Sequence, residues 1–195
     1  MVGMRMTGQS ALVVIDVQNE VIETAWDRDG VVERIAALAN RARDEGVPVV
    51  YVQHEIPAYP PMTRGADGWL IDSRIAPRDT DIVVAKQYPD AFANTVLADT
   101  LDGMDVTHLV IAGAETDACI QATVYRAMAE GWHVTLVSDC HTTTSGDAHG
   151  DGPTGEQIVR HANQALSCLQ YPGRTLEVVP HDEVTFSIAV LQGVA

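Results

Sequence analysis

Three residues stand where a buried charge or a nucleophile could be put to chemical use. Asp16 ends the apolar run ALVVI, Lys86 ends TDIVVAK, and Cys119 lies just past VTHLVIAG. A cysteine at the start of a helix that follows a strand sits among unpaired N–H groups and the positive end of the helix dipole, which favour thiolate over thiol. That place suits a nucleophile. It equally suits a small buried apolar residue, and position by itself does not choose between the two. Lys86 is the only lysine among the twelve Lys and Arg residues. A chain that otherwise uses arginine has kept one compact ammonium whose pKa responds to burial.

The elements that must position these residues follow from periodicity. Around Cys119 an apolar run (VTHLVIAG), a helical pattern closed by Gly131 and a second apolar run (WHVTLVSDC) form one strand-helix-strand unit. Ala11 to Ile15 predicts a strand ending in Asp16, and Pro48 to Gln53 a second one ending at His54 and Glu55. Between them Val32, Ile35, Leu38, Ala39 and Ala42 share a helical face stopped by Gly46 and Pro48. Residues 56–77 break the pattern and hold four of the nine prolines, together with Tyr59 and Trp69. A loop of that length with embedded aromatics predicts an ordered pocket wall. Asp81 to Lys86 predicts a third strand, followed by a short helix with Leu97 and Leu101 on one face and Asn94 or Thr95 as its cap.

Residues 142–155, rich in Thr, Gly and Asp, read as a mobile loop and a candidate lid. Thr154 and Gln157 have capping-box spacing before a helix with an apolar stripe of Ile158, Ala162, Ala165, Leu166 and Leu169. TLEVV predicts a sixth strand, and 182–191 a last amphipathic segment. Alternating strands and helices with near-continuously apolar strands predict a three-layer α/β fold on a mainly parallel, Rossmann-like sheet, in one domain spanning residues 1–195. Ligands of such sheets bind at the strands' carboxyl ends, where Asp16, Lys86 and Cys119 all fall.

Composition narrows the function classes. Twelve basic against 27 acidic residues give a formal net charge of −15, which argues against nucleic acid or an anionic membrane as partner and says nothing about the substrate. Three well-separated cysteines, with no apolar run long enough to cross a bilayer and no signal-peptide pattern, predict a cytoplasmic protein. Asp16 is followed by Val17 and Gln18 rather than a second acid, so a Mg²⁺-dependent receiver or phosphatase site is not indicated.

The segments VVIDVQNEV, AKQYPDAFANTVL and VIAGAETDACIQATVYRAMAEGWHVTLVSDC resemble, in order and spacing over roughly residues 10–145, the isochorismatase-like cysteine hydrolases, which include nicotinamidases and N-carbamoyl amidohydrolases. The resemblance implies a six-stranded parallel sheet, assembly as a homodimer or homotetramer, and a catalytic triad of Asp16, Lys86 and Cys119. It further implies an oxyanion hole from the backbone N–H groups of Glu115 and Cys119, with a cis peptide between Ala114 and Glu115. The implied reaction is hydrolysis of a C–N bond in a small amide, ureido or carbamoyl compound. Vinyl-ether hydrolysis of an isochorismate-like compound by the acid, or a non-catalytic small-molecule-binding protein of the same fold, are the alternatives.

Metal-binding nicotinamidases carry Asp-x-His and further histidines after strand two. Here the segment reads Gln53-His54-Glu55, so no required metal and no cofactor are expected. Candidate substrate-binding residues are Gln18, His54, Tyr59, Trp69, Tyr88 and Phe92. Gln18 could orient Asp16 or a substrate, or cap the strand; Phe92 could line the pocket or the core; the three other aromatics could stack on a planar substrate or simply pack. Cys140 and Cys168 are expected in the core.

Overall fold

The computed structural model describes residues 8–144 and 152–186. Six strands, β1 (Gln9–Ile15), β2 (Val49–His54), β3 (Ile82–Lys86), β4 (Val106–Ala114), β5 (His133–Thr142) and β6 (Leu176–Val179), pair in the order β3-β2-β1-β4-β5-β6, every pair parallel. Side chains alternate between faces along a strand, so each strand feeds two cores. Ala11, Val13 and Ile15 join one core under α2 (Leu97–Gly103), α3 (Gln121–Glu130) and α4 (Gly155–Ser167), while Leu12 and Val14 join the other under α1 (Arg28–Asp44). The three-layer α/β/α reading therefore holds. The chain reverses direction across the sheet between β1 and β4, which is where a doubly wound sheet opens a crevice at its carboxyl edge.

Two glycines make the central unit possible. Gly113 on β4 has a φ of +128°, and a Cβ there would lie 2.0 Å from the Ile15 carbonyl oxygen, so the backbones of β1 and β4 meet without a side chain between them. Gly131, at φ 101°, ends α3, and Trp132 N–H returns to the Ala127 carbonyl. The buried Trp132 ring then stacks against Phe92, with centroids 6.2 Å apart. Phe92 is accordingly a core residue and not a pocket aromatic.

Other expectations are refined by the structure. The predicted capping box of α4 is present, with Thr154 accepting from Gln157 N–H and Gln157 returning the bond. Val159 replaces Ile158 as the buried member of its stripe. The N-cap of α2 is Val96 rather than Asn94 or Thr95, although the Thr95 hydroxyl still accepts from Leu97 N–H at 3.2 Å. Residues 56–77 are ordered through three single turns of 3₁₀ helix at Pro60–Met62, Asp67–Trp69 and Ser73–Ile75. Cys140 is buried as expected, but Cys168, at the solvent side of the end of α4, is exposed. Residues 182–186 form a turn and coil, and the remainder of the predicted 182–191 segment, like positions 145–151 of the candidate lid, lies outside the described residues.

Two buried histidines tie the layers together. Ser10 donates to the Phe186 carbonyl at 2.7 Å, so its oxygen accepts from His108 Nδ1 at 2.8 Å, leaving His108 Nε2 to accept from Thr135. Asn163 Nδ2 donates to the Ser138 carbonyl, so its Oδ1 accepts from His141 Nε2 at 2.8 Å. His141 Nδ1 is then the acceptor for the Thr116 hydroxyl, 2.9 Å away, in the turn that carries Cys119. The second chain runs from α4 through β5 to that turn.

Burial lowers the pKa of both histidines to about 4, with nearby His133 adding to the effect at His108. An unfolded chain protonates its histidines near pH 6.5, so the folded protein refuses protons that the unfolded one accepts. Stability is expected to be lost as pH falls from about 6.5 toward 4, with a slope approaching about 1.4 kcal/mol per pH unit per histidine, and to show no contribution from them above that window. Urea unfolding across this range checks it, and His141→Asn should flatten the slope. Gly113→Ala should lower the unfolding free energy by about 3 kcal/mol, through positive-φ strain and the clash with β1, with the urea m-value unchanged.

Candidate active site

The carboxyl edge of the sheet gathers residues from four strands. Asp16, the residue after β1, has a φ of +52°, a conformation that aspartate tolerates better than most side chains and that turns it off the strand line. Lys86 comes from the edge strand β3, two strand spacings or roughly 9.6 Å from β1. Its four-carbon stem reaches over β2 and, with the Asp16 side chain extending to meet it, brings Nζ to 2.7 Å from Asp16 Oδ2, with both side chains almost wholly buried. Nζ also donates to the Pro89 carbonyl at 2.9 Å. Asp16 Oδ1 is buried without a hydrogen-bond partner among the described residues, and its lone pairs are free to take a proton.

Cys119 lies in a π-helical turn, Thr116–Ile120, at the entrance to α3 and directly after a cis peptide between Ala114 and Glu115. The Glu115 carbonyl accepts from the N–H groups of both Ala118 and Ile120, and the Thr116–His141 bond anchors the same turn from below. The Glu115 side chain accepts from Thr144, and Asp117 accepts from Thr143. Sequence reasoning missed His141, Thr116 and Asn163 because each looks like an ordinary polar residue; only the pairing of β5 with β4 and the docking of α4 bring them under the turn.

The expected preference for thiolate at Cys119 is reversed at rest. Burial, reinforced by the Asp16 charge and opposed by Lys86, pushes the thiol up to about 12. Desolvation of a sulfur anion outweighs one helix terminus. The three groups hold one negative and one positive charge, and moving the thiol proton to Asp16 transfers the negative charge to sulfur without creating new charge in the buried site.

His54 lies beside these three groups. Its Nδ1 lies 3.6 Å from Asp16 Oδ2 and 4.0 Å from Cys119 Sγ. Gln18 fixes the backbone there: its Oε1 accepts from His54 N–H at 2.7 Å, and its Nε2 donates to the carbonyls of His54 and Trp69 at 2.9 and 2.7 Å. Gln53 Nε2 also donates to the Trp69 carbonyl at 2.8 Å. Gln18 is fully buried with both ends of its amide spent on backbone, so it is a clamp joining β1, β2 and the 56–77 loop rather than a substrate-binding residue.

The aromatic candidates separate. Tyr59 is exposed and its hydroxyl donates to Glu20, and Trp69 contributes its carbonyl to the clamp. Tyr88 is half exposed beside a cleft of about 240 Å³ that Glu55, Arg64, Lys86 and Asn94 also line.

A buried carboxylate with a free oxygen, an ammonium and a thiol at one sheet edge are the parts of nucleophilic hydrolysis. The family model for the isochorismatase domain matches residues 10–152. A streptothricin hydrolase of Streptomyces noursei is 31% identical over 174 residues, 88% of this chain and 68% of that protein. A maleamate amidohydrolase of Pseudomonas putida is 31% identical over 135 residues, 62% of each. Among solved structures, an isochorismatase from Pseudomonas putida superposes with a TM-score of 0.79 at 26% identity, covering 94% of this chain and 92% of that one. No helix among the described residues is long and apolar enough to cross a membrane. With the family model matching residues 10–152 and the fold shared along nearly the whole chain with a solved isochorismatase, the chain belongs to the isochorismatase family of hydrolases.

Proposed function

We propose that the protein hydrolyses a C–N bond of a small amide, ureido or carbamoyl compound through a thioester on Cys119. The observation that carries this reading is the buried contact of Lys86 Nζ with Asp16 Oδ2 at 2.7 Å beside a buried thiol. Asp16 takes the thiol proton as Sγ attacks the carbonyl carbon, and the Lys86 ammonium then faces the sulfur anion and a neutral acid. The carbonyl electrons move onto oxygen, which the Glu115 and Cys119 N–H groups receive. Collapse breaks the C–N bond, and Asp16 returns its proton to the leaving nitrogen. Water then gives a proton to Asp16 while its oxygen attacks the thioester, and the proton returns to sulfur as the acid leaves.

Two relatives are named as a hydrolase and an amidohydrolase, which supports C–N chemistry over the vinyl-ether alternative.

The charge arrangement gives variants with opposite signs. Asp16→Asn removes the charge that helps hold the thiol up, so it should speed iodoacetamide alkylation of Cys119 at neutral pH, whereas Lys86→Met should slow it. Both should lower turnover by about 10³-fold or more. Peptide mass separates Cys119 from the exposed Cys168. Ammonia release from a panel of primary amides and N-carbamoyl compounds reports turnover. A slower reaction in Asp16→Asn, or a vinyl ether still cleaved by Cys119→Ala, would overturn the thioester mechanism.

A further inference from the structure

Asp16, His54 and Cys119 are the one group of three metal-capable side chains found among the described residues, with donor atoms all within 4.8 Å of one another. The two separations that involve His54 are close to those of a tetrahedral zinc site. Zinc bonds of about 2.0 Å to nitrogen or oxygen and about 2.3 Å to sulfur place neighbouring donors roughly 3.3–3.5 Å apart. Here Nδ1 to Oδ2 is 3.6 Å and Nδ1 to Sγ is 4.0 Å. Shifts of a few tenths of an ångström close the first two edges. The donor set of imidazole, carboxylate and thiol suits a borderline-soft cation and not Mg²⁺ or Ca²⁺, which prefer oxygen.

A second observation points the same way. Asp16 is 1% exposed, and its Oδ1 has no hydrogen-bond partner among the described residues, so a buried lone pair is available for an ion. Lys86 holds Oδ2, the oxygen that faces His54 Nδ1, so an ion meets the carboxylate either at Oδ2 in competition with the ammonium or at Oδ1 after a turn about the Cβ–Cγ bond. The Gln18 clamp holds the His54 backbone from both sides, so the imidazole is presented from a fixed point.

We propose that these three side chains bind a zinc-class divalent cation reversibly, and that the bound ion switches the hydrolase off by occupying its nucleophile and its base together. The switch rests on the thioester reading above; the binding does not. Cys119 coordinates as thiolate, its proton passing to solvent, and no oxidation is involved. The Lys86 ammonium, held against a ligating carboxylate in a poorly screened interior, repels the cation. This makes the site a weak, removable one rather than the seat of a resident metal, and gives it a signature that no surface histidine or cysteine would share.

The test uses the full chain carrying Cys168→Ser, so that the exposed thiol does not compete. Co²⁺ should raise a thiolate-to-metal charge-transfer band and tetrahedral d–d bands, and Zn²⁺ should displace both. Cys119→Ser should abolish the charge-transfer band, and His54→Ala should weaken Zn²⁺ binding by about tenfold or more, measured against a chromophoric chelator. Lys86→Met should instead tighten it by about tenfold, a gain that misfolding cannot mimic. Absence of the band, or Zn²⁺ affinity unchanged in both Cys119→Ser and Lys86→Met, would overturn the site. Spectrum and affinity need no substrate, so a protein that binds metal in this way but releases ammonia from no amide retires the hydrolytic reading alone. Amide hydrolysis that persists under saturating Zn²⁺ retires the switch.

Discussion

The buried contact between Lys86 and Asp16 is the interaction on which the rest of this site depends. Removing two opposite charges from water costs several kcal/mol per ion, which a single short contact recovers only when the geometry is good and the remaining polar atoms are used. Here the ammonium has a second partner in the Pro89 carbonyl, while one carboxylate oxygen is left without one. A structural pair would satisfy both oxygens. In the thioester reading proposed above, the unsatisfied oxygen is the one that receives the thiol proton, without adding net charge to the interior.

Holding that pair in place explains features that are otherwise unrelated. The left-handed backbone at Asp16 turns the carboxylate off β1, and the lysine stem crosses β2 to meet it. The Gln18 amide binds the end of β2 and the Trp69 carbonyl of the long loop. On the other side, Gly113 lets β4 approach β1 closely enough for the turn after β4 to deliver Cys119. His141, kept neutral by burial, holds that turn to α4 through Thr116 and Asn163. These devices fix the segments that carry Asp16, His54 and Cys119 without using the Asp16 Oδ1 lone pairs.

The same crowding sets the chemistry of the cysteine. A helix entrance favours thiolate in isolation, yet this sulfur is nearly sealed from water and lies near a carboxylate. The resting thiol and the anionic base are then one proton transfer apart. In the proposed mechanism this arrangement holds the sulfur as a thiol until a carbonyl arrives, and the same donors are those of the proposed cation site.

How much of this was legible in the sequence follows from the range of the forces involved. Strand and helix placement is written in local periodicity: the apolar runs ending in Asp16 and Lys86, the capping box at Thr154 and the stop at Gly131 all required only near neighbours, and they put the chemical residues at the carboxyl ends of strands. Strand order, the reach of Lys86 across β2, the burial of Phe92 on Trp132 and the exposure of Cys168 depend on residues far apart in the chain, so no local pattern encodes them. Gln18 shows the division well. Its place after Asp16 was visible, but its role belongs to the carbonyls of His54 and Trp69, which approach it only in the folded sheet. The protonation state of Cys119 is decided in the same way, because desolvation is a property of the whole packed interior and not of any stretch of sequence.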